Sequence, residues 1–62
     1  MICRDYVHNL EITASLANRA RDMARYYDAQ GDKATASGYW AEYRIWKDEY
    51  NHWADRAVAS GC

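Results

Sequence analysis

The sequence predicts an all-α protein: one antiparallel two-helix hairpin that dimerises into a four-helix bundle. Three observations predict it. Proline is absent and glycine stands at positions 31, 38 and 61, so strong punctuation falls at the middle and the far end of the chain. Large aromatic residues recur at alternating steps of three and four through the second half, the period of a helix face. Small residues recur at the same steps through the first half, offering room where the other half offers bulk.

The first helix is expected over residues 5–30. Asp5 has the side chain of an N-cap, and Gly31 supplies the left-handed residue that ends helices. Positions 31–32 form the turn. Asp32 caps the second helix, expected over residues 33–60 until Gly61 stops it. Two helices of about 26 residues run about 39 Å each, and a tight turn between equal lengths forces them antiparallel. The whole chain, residues 1–62, is then one domain.

The seam of the second helix reads Ala36, Tyr39, Tyr43, Trp46, Tyr50, Trp53 and Ala57. On the first helix the same steps give Tyr6, Leu10, Thr13, Ala17, Ala20, Ala24 and Tyr27, with Leu16 and Met23 beside them. Alanines facing rings fill a close interface without voids, so this seam is the expected core. Apolar residues remain that it does not absorb: Ala34, Gly38, Ala41 and Ile45 on another face of the second helix, Trp40 on its flank, and Val7, Ile12 and Tyr26 on the first. A second buried surface is implied. Gly38 inside a helix costs about 1 kcal/mol relative to Ala, which close approach by another backbone would offset.

The stretch from Met23 to Asp32, followed by Ala36 and Trp40, resembles one tetratricopeptide repeat. Ala24, Tyr27, Gly31, Asp32, Ala36 and Trp40 stand at that family's packing positions, within residues 20–43. The chain departs from the family at Tyr43, where a small residue is usual, and at Asp48, where Pro is common; it carries no second repeat. The resemblance implies a helix-turn-helix hairpin and binding to protein. The overall plan is also similar to small plasmid-encoded RNA-regulating four-helix-bundle dimers, in architecture alone.

Composition narrows the function. At 62 residues a single core rarely suffices without disulfides, metal or association, so a homodimer is expected. Six Tyr, three Trp and no Phe favour rings that bury one edge and present a polar tip, the chemistry of interfaces. A net charge of −1 gives no general attraction to nucleic acid or anionic membrane. The start of the chain, Met1-Ile2-Cys3-Arg4-Asp5, lacks the pattern of a signal peptide, and a cytoplasmic protein without membrane contact is expected.

An antiparallel hairpin brings Cys3 and Cys62 together, so a bridge is within geometric reach; a reducing cytosol favours free thiols, and spacing alone leaves the choice open. His8 and His52 fall near the same end, but no ligand pair at metal spacing accompanies them, and neither metal nor cofactor is expected. Carboxylates lie near basic residues at helical spacing, Arg25 with Asp28 and Arg44 with Asp48, as on solvated faces. Catalysis needs a nucleophile and base in a concave pocket, so an enzyme is not expected.

The expected function is therefore a small protein–protein interaction module, in concrete form a phage- or plasmid-encoded inhibitor of a larger host protein. Tyr26, Gly38, Trp40 and Ile45 are the expected contacts, because they fall off the intrachain seam. The alternative is a nucleic-acid or nucleotide binder using Arg19, Arg21 and Arg25 to hold phosphate.

Overall fold

The chain reverses where Gly31 adopts a positive φ of 80°, a conformation open to glycine without steric cost. A computed structural model describes residues 3–62: helix α1 (Cys3–Ala29) and helix α2 (Lys33–Ala59), each of 27 residues, pack side by side as a hairpin. Nearly all of the described chain is helical, and no strand occurs in it. The result is a rod whose Cα atoms extend 45 × 13 × 12 Å.

Both helix ends close in the same way. At the turn, the Gly31 N–H donates to the Asp28 carbonyl at 3.1 Å and the Asp32 N–H to the Tyr27 carbonyl at 3.0 Å. At the far end, where Gly61 has φ 81°, its N–H donates to Val58 and the Cys62 N–H donates to Ala57 at 2.8 Å. These paired bonds satisfy carbonyls that a helix C-terminus would otherwise leave open. Asp32 then starts α2 immediately: one carboxylate oxygen accepts from the Thr35 N–H and the other from the Thr35 hydroxyl, at 3.2 and 2.7 Å. At the other terminus the expectation needs correction. α1 already includes Cys3, so Asp5 lies inside the first turn, where its charge suits the helix dipole, and is not the N-cap.

The alanine seam of α1 forms as expected. Tyr6, Thr13, Ala17, Ala20 and Ala24 are buried, Ala24 completely, while Leu10 and Tyr27 are half-buried. Thr13 satisfies its hydroxyl by donating to the Asn9 carbonyl at 2.8 Å, so its burial leaves no orphan. On α2 the pattern holds less completely. Ala36 and Ala57 are buried, but Tyr39, Tyr43, Trp46 and Trp53 are half-buried and Tyr50 is exposed. Two rods touch along a line, and alanine on one lets the backbones approach too closely for a ring to stand between them. The rings therefore flank the contact line, Tyr39 on one side of α1 and Tyr43 and Tyr50 on the other.

Gly38 shows no compensation within the chain. A methyl group added there would meet nothing within 4 Å. Gly38→Ala is accordingly expected to raise stability by about 0.5–1 kcal/mol, the helix-propensity difference, in chemical denaturation at concentrations low enough to keep the chain monomeric. A destabilised variant would mean that some neighbour already occupies this space.

Candidate functional site

The sites of interest lie along the two long sides of the hairpin and at its two ends. At the open end, Cys3 and Cys62 are joined by a disulfide across Cα atoms 5.7 Å apart. The expectation of free thiols is thus replaced by a covalent staple, because the antiparallel pairing of two helices of equal length delivers both sulfurs to one place. Neither sulfur is then a thiolate able to ligate metal. Beside the staple, the Ser60 hydroxyl donates to the buried Tyr6 hydroxyl at 3.1 Å, and the Tyr6 ring tilts against Trp53 with centroids 6.2 Å apart. His52 meets the edge of Trp53 and His8 is exposed. No cluster of three or more potential metal ligands occurs among the described residues.

At the turn end, Asp28 ties the helices together. Trp40 donates its indole N–H to Asp28 Oδ2 at 2.9 Å, and the Lys33 ammonium lies 3.2 Å from Oδ1. The expected pairing of Arg25 with Asp28 is not formed, since the carboxylate turns toward α2, where two donors converge; nor do Arg44 and Asp48 form an ion pair. The bond from Trp40 first, and that from Lys33 second, hold the Asp28 carboxyl below its ordinary value of 3.8. Thr35, through its hydroxyl and then its backbone N–H, lowers Asp32 likewise. Both groups bind protons more weakly folded than unfolded, so their contribution is present above about pH 4 and is lost as pH falls through and below 3.8. Thermal melts should show the wild-type transition dropping over that acid range. In Asp28→Asn the part of the drop due to that carboxyl disappears.

One long side carries a shallow groove lined by Ala14, Ala17, Asn18, Tyr43, Lys47 and Tyr50, continued toward the turn by Trp40 and Arg44. Trp40 meets Tyr43 edge-on at 5.7 Å, and Lys47 lies over the Tyr43 ring. The charges lining this groove are all positive. The opposite side carries two adjoining grooves of about 330 and 280 Å³ that share Tyr39 and Glu42; Leu16, Arg19, Ala20 and Met23 complete one, Thr35 and Gly38 the other. Above them the Tyr27 ring stacks on Tyr39 with centroids 5.7 Å apart, and Tyr26 meets Tyr27 edge-on.

The four expected contact residues are therefore not one patch. Gly38 lines the second side, with Ile45 two turns further along the same face of α2. Tyr26 extends the ring stack, and Trp40 lies on the first side. Tyr26 and Ile45 are 56% and 60% exposed, which leaves both able to make contacts, whereas Trp40 is half-buried and hydrogen-bonded. Of the three arginines, Arg19 stands apart, while Arg21 and Arg25, four residues from each other, share a face of α1. At 100° per residue Arg19 and Arg21 stand about 160° apart around α1. Arg19 faces the second side, and Arg21 lies 3.3 Å from Asp22. No helix among the described residues is long and apolar enough to cross a membrane. No known protein family, curated protein or solved structure matches the chain.

Proposed function

We propose that this chain is a non-enzymatic interaction module, a homodimeric four-helix bundle that docks on a larger protein and blocks or modulates it. The observation that carries this reading is the placement of large apolar side chains in solvent: Val7, Ile12, Tyr26, Ile45, Tyr50 and Val58 are all exposed, while the buried apolar set among the described residues is five alanines and Tyr6. A chain that leaves several large apolar side chains open has strong contact groups available to a partner. Tyr26, Gly38, Trp40 and Ile45 remain the preferred contacts, divided between the second copy of the chain and the larger protein because they lie on different sides of the rod. A phage- or plasmid-encoded inhibitor of a host defence or replication protein is the concrete form we favour.

The phosphate-binding alternative draws less support. Arg19, Arg21 and Arg25 do not share one side of α1, and Asp22 competes for Arg21. The tagged chain, used as bait in host lysate, should retain a protein partner that withstands added salt and is lost with Ile45→Asp, a change at a site 60% exposed. Retention of nucleic acid that falls steeply with salt would favour the alternative, and identical retention by the variant would remove the proposed surface.

A further inference from the structure

The two long sides of the rod differ in the charges they carry, and this difference selects what each is able to receive. The side lined by Tyr43, Arg44 and Lys47 presents cations, so a twofold copy seated there would bring cation against cation. On the other side Arg19 and Glu42 flank one apolar groove, and among the described residues neither is part of an ion pair. They also lie at nearly the same height, 12 and 11 residues from Gly31 along their helices.

We propose that a second copy of this chain packs about a twofold axis on the side lined by Leu16, Arg19, Met23, Gly38, Tyr39 and Glu42. With the axis running along this groove, residue i meets residue j and j meets i, and the shared height of the two groups brings Arg19 of each copy to Glu42 of the other. The groove between them is apolar, with Leu16 and Met23 on α1 and Tyr39 on α2. Ile12 lies one turn before Leu16 and Tyr26 one turn after Met23, extending the apolar stripe along the helix at steps of four and three. Ile12 is 43% exposed and Tyr26 56%, so the stripe has large side chains left to bury. Open space over Gly38 admits a facing side chain close to the α2 backbone. This assignment rests on the reading that the chain dimerises, and names the face that does it.

The area suffices. The chain exposes 4516 Å², above the roughly 4,100 Å² expected for a compact protein of its mass. A quarter of that surface, the two grooved sides and the two outer helix faces being taken as equal, is on the order of 1,000 Å², against about 800 Å² per partner in stable interfaces. Two hairpins laid face to face in this way form a four-helix bundle, with the half-open rings of each covered by the other.

Sedimentation across a range of concentrations tests the proposal with the intact, oxidised chain. Wild type is expected to dimerise. Arg19→Glu and Glu42→Arg, each of which sets like charges together twice in the symmetric contact, should weaken the dimer about tenfold, and the double exchange should restore it. Gly38→Trp, at a position where an added Cβ meets nothing within 4 Å, should retain helicity by circular dichroism and lose the dimer. A wild-type monomer at all concentrations would overturn both dimerisation and this face. A wild-type dimer that ignores the charge exchanges and Gly38→Trp would leave dimerisation standing and overturn the face alone.

Discussion

Reducing the Cys3–Cys62 bond should lower the melting temperature on the order of 20 °C. The bridge spans a sequence separation of 59, nearly the entire chain. In the chain-entropy account, closing a loop of that length removes about 4 kcal/mol of disorder from the unfolded state. For a domain of this size each kcal/mol shifts the midpoint by about 4–8 °C. The effect is large because the folded state has little else to oppose opening: its core is a line of alanines, with Tyr6 as the sole large side chain buried among the described residues. Calorimetry with and without reductant, and on Cys3→Ser/Cys62→Ser, should give the same displacement. A change of only a few degrees would mean that the two helices hold together without the staple. The bond also ties stability to surroundings: where thiols are kept reduced, the seam and any second copy must hold the hairpin unaided.

The second large effect is expected at Ala24, which has no exposed surface and sits on the contact line two turns from the turn. Ala24→Leu adds three carbons where the backbones are close, so the helices must separate or the side chain must leave its preferred rotamer. Such overpacking should cost about 2 kcal/mol or more. Ala29→Leu, the same exchange at an exposed position near the end of α1, should stay within about 0.5 kcal/mol of wild type. Urea denaturation of the two variants makes the comparison. Equal stability would show that Ala24 does not stand between the helices, and the account of why the rings lie outside would fail with it.

That account also marks how far the sequence could be read. The turn at Gly31 and Asp32, the cap at Asp32 and the stop at Gly61 were legible because each rests on a local property, a positive φ or a short side-chain acceptor, that does not depend on distant residues. The α1 seam was legible from period alone, and Tyr6, Thr13, Ala17, Ala20 and Ala24 are the residues buried there. What the period does not carry is depth. It places Tyr43, Trp46, Tyr50 and Trp53 on the face toward α1, but the backbone separation set by alanines decides that these rings flank the contact line. Capping preference, a weak local signal, points to Asp5 as the start of α1, whereas the helix extends to the cysteine tied to the other terminus.

The pairings that cross between helices were hidden for the same reason. Asp28 with Trp40, Tyr27 with Tyr39 and Tyr6 with Ser60 depend on the register of one helix against the other, which the turn fixes and the sequence pattern does not state. The disulfide was geometrically foreseeable, and only the assumed compartment argued against it. The interaction residues lay between these cases. Their exposure followed from falling off the seam, as Tyr26 and Ile45 show, but their division between two sides of the rod required the structure.

The central claim is that two helices of one chain close on an alanine line while their rings remain half open. Proton–proton contacts measured by NMR on the oxidised chain test it most directly. The account predicts contacts between the Ala24 methyl group and α2, between the Tyr27 and Tyr39 rings near the turn, and between the Tyr6 and Trp53 rings at the stapled end, whose centroids lie 5.7 and 6.2 Å apart. Helical chemical shifts without these interhelical contacts, or a Tyr39 ring sealed from solvent against α1, would contradict it.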